Sequence, residues 1–177
     1  MTAPLLAVLA ALSIAGTAIA DPASTRLRLY FSNERLASDP TDCAAVFMVE
    51  RSVPKTGAVA TAALNQLFAG PSPAEREAGY RSFFSPATGG LLRRLRIQGG
   101  TAYVDLHDLR EPLSGATSSC GAAEFQSQMS RTLRQFPAVR RVIYAIEGDP
   151  RRFYEWQNEP CGRANDDCDA RPFRSGG

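Results

Sequence analysis

The amino-acid sequence predicts an α+β protein in which two main helices pack on one face of a mostly antiparallel sheet. Short segments that alternate polar and apolar residues recur along the chain, which is typical of half-buried strands. Two longer segments repeat apolar residues at helical spacing. The predicted order, β-β-α-β-β-α-β with a short extra helix after the first, favours a two-layer sandwich.

The first two strands are predicted at residues 25–31 and 44–51. In the first, Leu27, Leu29 and Phe31 share the face that should meet the core. The second is apolar over most of its length, so we expect it to lie centrally in the sheet. The segment 52–54 ends it, because its proline lacks the N–H that a strand ladder needs.

The first helix is predicted to begin at Thr56, a candidate N-cap, and to end at Gly70-Pro71. A short second helix should follow, because Ser72 and Glu75 can form a capping box around Pro73. The first helix presents one apolar stripe, formed by Val59, Ala60, Ala63, Leu64, Leu67 and Phe68.

A hairpin is predicted at residues 91–106, because Gln98-Gly99-Gly100 separates two alternating segments and glycine accepts the positive φ of a tight turn. After a loop rich in Ser and Gly, a long helix is predicted at 122–136 and a last strand at 139–146. The hairpin residues expected in the core are Leu95, Ile97, Ala102, Val104 and Leu106. The helix residues expected there are Phe125, Met129, Leu133 and Phe136.

Length and charge narrow the class of protein. The chain has 177 residues, enough for one ordinary domain, and 44% of them are hydrophobic, which predicts a packed core. The formal net charge is +2, with acidic and basic residues interspersed, so no nucleic-acid partner is indicated.

The first 20 residues are predicted to be a signal peptide. Residues 5–15 are apolar and uncharged, and Ala18 and Ala20 place small side chains where a signal peptidase reads them. The apolar segment is short for a membrane span, so we expect cleavage after Ala20. The absence of Lys and Arg from residues 1–4 departs from the usual pattern. The sequence predicts an exported protein, periplasmic or extracellular, with no membrane anchor after cleavage.

The four cysteines are even in number, as expected in an oxidising compartment. Three pairings are possible, and the spacing favours Cys43 with Cys120 and Cys161 with Cys168. A zinc site is disfavoured, because no CxxC occurs and His107 is far from the last two cysteines in sequence.

No catalytic, cofactor or metal site is predicted from the remaining polar residues. His107 lies beside Asp105 and Asp108, but no GxSxG segment supplies a nucleophile. Asp105 and Glu147 could converge at strand ends as a carboxylate pair, which leaves a small secreted hydrolase of cell-wall material as the alternative function. The acidic segment 166–169 lacks the glycine and the last glutamate of a calcium loop.

Two further segments are interpreted from composition. Residues 149–177 are rich in Gly, Pro, Asn, Asp and Arg and are predicted to form an irregular extension, closed by the local disulfide. The basic segment 93–96 is interpreted as a solvated strand face, with contact to an anionic envelope polymer or a partner as the alternative.

Several segments, taken in order, resemble the GerMN domain family, named from the spore-germination protein GerM. Two pieces are distinctive in combination: Gly-Pro-x-x-x-Glu at 70–75 and Thr-Leu-x-Gln-Phe-Pro at 132–137. The matching segments are LYFSN at 29–33, the strand at 43–51 with its arginine, VPKT at 53–56, AALNQLFAGPSPAEREAGY at 62–80, GGTAYVDL at 99–106 and TLRQFPAVRRV at 132–142.

The resemblance implies an extracytoplasmic α+β module at residues 25–148, similar to the ring-building fold of secretion and sporulation assemblies. It implies no enzymatic activity and no cofactor. The chain departs from larger members of the family in showing one copy of the module and no cysteine for lipid attachment. We therefore expect a non-enzymatic cell-envelope module that binds a protein partner or a cell-wall polymer.

Overall fold

The computed structural model describes residues 23–159, 161 and 167–174, and the predicted signal peptide lies outside this range. The strands are β1 Ser24–Asn33, β2 Phe47–Pro54, β3 Tyr80–Arg81, β4 Leu92–Gln98, β5 Thr101–Leu106 and β6 Arg141–Ile146. The α-helices are α1 Val59–Phe68, α2 Pro73–Glu77, α3 Ser119–Leu133, α4 Pro150–Trp156 and α5 Arg171–Arg174, with 3-10 turns at Pro86–Thr88 and Ser114–Thr117.

The α+β class is confirmed, but the strands form two three-stranded sheets where a single sheet was predicted. The first sheet has the order β2-β1-β3, with antiparallel pairs throughout. β2 therefore lies at an edge, and its predicted central position is wrong. The apolar residues that suggested a buried strand begin in the loop before Phe47, whereas the strand itself alternates and leaves Met48 44% exposed.

The second sheet has the order β4-β5-β6. The predicted hairpin joins β4 to β5, and Gly99 and Gly100 turn the chain with φ of 59° and 85°. β6 pairs parallel with β5, and α3 lies on the crossover between them. Ile97 was expected in the core but is 37% exposed, because it lies near the turn at the end of an edge strand.

α1 and α3 pack against each other and against β1. Most residues of the predicted apolar stripes of both helices are buried in one core together with the inner faces of the sheets, while Val59, Ala60 and Phe136 are partly buried at its margin. α1 begins later than predicted: its N-cap is Ala58, and the Thr56 hydroxyl instead accepts a hydrogen bond from the Ala58 amide at 3.1 Å. α3 begins earlier than predicted, because the Ser118 hydroxyl caps it through the Gly121 amide.

An irregular extension was predicted after residue 148, but the described part of this segment contains the helices α4 and α5. Asp149 caps α4 with Pro150 in its first turn, and α4 packs against β6. Phe153 is fully buried and stacks on Tyr144 at a ring distance of 4.7 Å. Further on, Phe173 of α5 packs edge-on against Tyr103 of β5 at 5.6 Å. The aromatic residues of this segment therefore extend the core of the domain.

Candidate functional site

The Gly-Pro-x-x-x-Glu segment takes part in a network of polar contacts that joins β2, α1 and α2. Gly70 ends α1 with φ of 74°, and a Cβ there would lie 2.2 Å from the Phe84 carbonyl oxygen, so only glycine fits. Ser72 and Glu75 form the predicted capping box of α2. Glu75 also pairs with Arg51 of β2, with 3.0 Å between Arg51 Nε and Glu75 Oε1.

Arg51 binds three chain segments at once. Besides Glu75, its guanidinium donates to the Gln66 carbonyl at 3.0 Å and to the Gly70 carbonyl at 2.7 Å. Burial acts to raise the pKa of Glu75, but the hydrogen bonds from Arg51 and from the Ser72 amide outweigh it and lower that pKa below its ordinary value. All partners in this network are intramolecular, so it positions β2, α1 and α2 relative to one another.

The Thr-Leu-x-Gln segment also has a structural role, because its side chains bind the backbone of β1. Gln135 accepts from the Arg28 amide at 3.0 Å and donates to the Arg28 carbonyl at 2.7 Å. The Thr132 hydroxyl accepts from the Tyr30 amide at 3.2 Å. These side chains bind the backbone N–H and C=O groups along the edge of β1, at residues that do not pair with β3. They therefore block the addition of another strand at this edge.

Asp105, His107 and Glu147, the residues of the alternative hydrolase hypothesis, do converge at the ends of β5 and β6. His107 Nδ1 lies 3.1 Å from Glu147 Oε1, and both side chains are substantially exposed. Asp105 is 1% exposed and accepts from the Gly148 amide at 2.7 Å, and it also pairs with Arg93. Arg93 Nε lies 3.4 Å from Glu147 Oε2, so one arginine bridges the two carboxylates.

This arrangement does not resemble a working carboxylate pair. A general acid or nucleophile must reach the substrate, whereas both Asp105 oxygens are engaged by Arg93 and the Gly148 amide inside the protein. Glu147 has a positive φ of 52°, and with Gly148 it forms the tight turn after β6. Asp105 thus anchors this turn to β5.

A groove of about 300 Å³ lies at the end of β1, beside the disulfide between Cys43 and Cys120. The two Cα atoms are 5.1 Å apart, and the bridge ties the loop before β2 to the first turn of α3. Four carboxylates and one arginine line the groove, together with small and apolar side chains. Its charged lining residues are Glu34, Asp39, Asp42, Glu124 and Arg81.

Glu124 lies on the α3 wall of the groove. Its Oε1 accepts from Gln128 at 2.8 Å and lies 2.6 Å from the Ser32 hydroxyl. Burial raises the pKa of Glu124 above its ordinary value, and these two hydrogen bonds offset only part of that effect. The groove therefore combines a partly desolvated carboxylate with three exposed ones, an environment that favours a cationic or hydrogen-bond-donating ligand.

The remaining predicted sites have simple outcomes. Cys161 pairs with Cys168, so both cysteine pairs are those that the spacing favours. Asp167 pairs with Arg141, and Asp169 binds Arg171 at 2.8 Å, while residue 166 lies outside the described residues. Within the described residues, no group of three or more His, Cys, Asp or Glu side chains could hold a metal ion.

The sequence analysis missed the groove. Glu124 is about 90 residues from Ser32 and Glu34, and none of the three belongs to a catalytic or binding motif, so no local pattern singled them out. The available signal was the preferred pairing of Cys43 with Cys120, which predicts that the segments around these two cysteines meet in space.

Comparison with known proteins places these features in a family. A family model described as Germane, sporulation and spore germination, matches residues 28–152, which is most of the chain. The match contains both the Gly-Pro-x-x-x-Glu and the Thr-Leu-x-Gln segments and ends within α4. Comparison with curated protein sequences gives no match.

Comparison with solved structures also gives matches. The structure of the tandem GerMN domains of the sporulation protein GerM from Bacillus subtilis is 22% identical over 77% of this chain, with a TM-score of 0.50. This chain spans 43% of that tandem structure. The first GerMN domain of the same protein is 16% identical, with 70% of this chain and 84% of that one covered and a TM-score of 0.41. A putative lipoprotein from Clostridium perfringens has the same identity and TM-score, with coverages of 76% and 80%.

Proposed function

The chain belongs to the Germane (GerMN) family of sporulation and spore-germination domains, and on that premise we propose that it is a non-enzymatic module of the cell envelope. Its role is to bind an envelope protein or a cell-wall polymer. The groove beside the Cys43–Cys120 disulfide is the proposed binding site.

The observation that supports the proposal is the contrast between the groove and the polar networks elsewhere. The carboxylates of Glu34 and Glu124 border a concave surface and form no ion pair with a described residue. By contrast, Arg51 and Asp105 are saturated by intramolecular partners. Carboxylates that border a concavity without an ion-pair partner are typical of a recognition surface.

An extracytoplasmic location is part of the same proposal. Two disulfides in a small domain are typical of an oxidising compartment, and the apolar N-terminal segment favours export. Among the helices of the described residues, none has the length and apolar character to cross a bilayer.

Site-specific cross-linking tests the binding site directly. A photo-reactive residue at position 34, on the rim of the groove, should capture an envelope protein or glycan from the native envelope fraction. The same residue at position 151, exposed on α4, serves as the matched control. Equal capture from both positions, or none from either with the oxidised chain, would count against the groove as the binding site.

A secreted hydrolase of cell-wall material remains the second candidate, because His107 lies within hydrogen-bond distance of Glu147 at the surface. The experiment compares wild type with a variant carrying alanine at Asp105, His107 and Glu147 on peptidoglycan fragments. Turnover by the wild type that is lost in the variant would support hydrolysis. Absence of turnover in both chains would end this hypothesis.

A further inference from the structure

The outer face of the first sheet is charged at both ends, with opposite signs. Alternate residues of β1 point to this face: Arg26 and Arg28 at its start, then Tyr30, and Ser32 at the groove. Glu34 follows directly in the turn after β1 and also lines the groove. One strand therefore leads from a basic end to an acidic end.

The basic end keeps a net positive charge, because Arg26 and Arg28 outnumber Glu50, which lies opposite Arg28 on β2. Arg26 and Arg28 are exposed, and neither forms an ion pair with any described residue. Glu50 is the register partner of Arg28 on β2, yet it also makes no such pair. Because Gln135 holds the Arg28 backbone on both its N–H and its C=O, this part of the face is rigid.

The carboxylates at the acidic end also form no ion pair with a described residue. They are those of Glu34, Asp39, Asp42 and Glu124. Of the described residues that line the groove, only Arg81 is basic, and its guanidinium donates to the carbonyls of Arg76 and Tyr80, which belong to its own chain segment.

We propose that this face binds a second copy of the same chain about a two-fold axis that crosses β1 at Tyr30. A two-fold interface brings each surface patch onto its own image, so residues equally far before and after the axis meet. Arg28 of one copy then faces Ser32 of the other, and Arg26 faces Glu34. The basic end of each copy lies on the acidic end of its partner, which makes the face self-complementary in charge.

The centre of the face suits such an axis. Tyr30 is half-buried and is the register partner of Met48, which is 44% exposed. Arg131 of α3 lies over the Tyr30 ring, with 5.7 Å to the centroid. Tyr30 and Met48 supply aromatic and apolar surface at the middle of the patch, as in the usual anatomy of an interface, and Arg131 lies beside them.

The size of the face predicts a weak dimer. Eight strand residues span roughly 27 Å. Two strands with the flanking helix are about 20 Å wide, so each copy would bury on the order of 500 Å², less than the roughly 800 Å² of a standard interface. We therefore expect micromolar association that weakens with salt, because its charged pairs are exposed.

Charge-reversal complementation tests the dimer. Sedimentation of the oxidised full chain at low salt should show a dimer whose dissociation constant rises about tenfold or more between 50 and 500 mM NaCl. Arg26→Glu and Glu34→Arg should each weaken self-association about tenfold or more, since each reversal acts at two symmetric sites. An equimolar mixture of the two variants should form a heterodimer at least as stable as the wild-type dimer, because both contacts between positions 26 and 34 are then attractive.

The matched control is Arg151→Glu, an exposed arginine on α4 that should associate like the wild type. Circular dichroism checks that all variants are folded. A wild type that stays monomeric at millimolar concentration, or a mixture that associates no better than either variant alone, overturns the proposal. A monomer whose binding to polyphosphate is lost in Arg26→Glu would also overturn it and assign the basic end to an anionic polymer. Glu34 belongs to both surfaces, so a second copy and an envelope partner would compete for the acidic end. Sedimentation of the purified chain needs no envelope partner, so the two proposals fail separately.

Discussion

Charged side chains cluster both in the half of the domain around the first sheet and in the half around the second. The two clusters differ in how far solvent reaches them. In the first half, Arg51 and Glu75 are both shielded from solvent, with side-chain exposures of 14% and 16%, and their hydrogen bonds are satisfied by helix ends and backbone carbonyls. In the second half, Asp105 is buried, whereas His107 and Glu147 are exposed by 55% and 37%.

The difference teaches that converging charges do not by themselves indicate chemistry. Arg51 and Asp105 each have a full set of partners within the chain, so each stabilises a particular connection of the fold. His107, Glu147 and Arg93 are the members of the second cluster that a solvent molecule can reach, and the contact between His107 and Glu147 at the surface is weak. Substitutions in the two halves should separate these roles.

The largest expected effect concerns the two disulfides. Cys43 and Cys120 are 77 residues apart, and Cys161 and Cys168 are 7 apart. In the chain-entropy model, removal of the long bridge costs about 4 kcal/mol of unfolding free energy and removal of the short one about 2. Urea denaturation of the two double Cys→Ser variants measures both values. A larger loss of unfolding free energy on removal of the short bridge would contradict this prediction.

Arg51→Ala should lower the free energy of unfolding by about 3 kcal/mol, because it leaves a shielded carboxylate without its partner. Since the pKa of Glu75 is lowered in the folded state, this pair stabilises the protein above pH 4.5, and the benefit is lost as the pH falls below that value. The difference between variant and wild type should therefore shrink in acid. Arg26→Ala, an exposed arginine on the adjacent strand, is the control and should change stability by less than about 0.5 kcal/mol.

Within the second half, Asp105→Ala should cost about 2 kcal/mol of unfolding free energy, because the half-buried Gly148 amide loses its acceptor and Arg93 loses its buried partner. His107→Ala should cost less than about 0.5 kcal/mol, since its one carboxylate contact is exposed. Thermal melts of both variants provide the measurement. Equal effects would show that His107 is part of the structural anchor and would remove the distinction drawn above.

The smallest expected effect is at the groove. Burial raises the pKa of Glu124 in the folded state. Ionisation of this side chain therefore lowers the free energy of unfolding as the pH rises through the raised pKa. Glu124→Gln removes the cost and keeps an oxygen to accept from Gln128. Its melting temperature should match the wild type near pH 4 and exceed it by about 1–2 °C at pH 7. A variant that is less stable at pH 7 would mean that Glu124 has a cationic partner within the chain.

Much of the fold could be predicted because local rules decide it. The apolar alternation of β1, the stripe of α1, the capping box at Ser72 and the turn at Gly99-Gly100 all appear as expected. The errors fall where partners distant in sequence decide. β2 is an edge strand because no further strand pairs with its outer side among the described residues, and α4 is part of the core because Phe153 finds Tyr144 and Phe125 there.

The sequence by itself determined the α+β class, the family and the preferred cysteine pairing, because propensity, turn chemistry and spacing act over short distances along the chain. Tertiary structure decided the rest. It divided the strands into two sheets and saturated Arg51 and Asp105 with backbone partners from other elements. It also brought Ser32, Glu34 and Glu124 together beside the disulfide. Hydrogen bonding and burial depend on neighbours in space, and these follow from the packing of the whole chain rather than from any one segment.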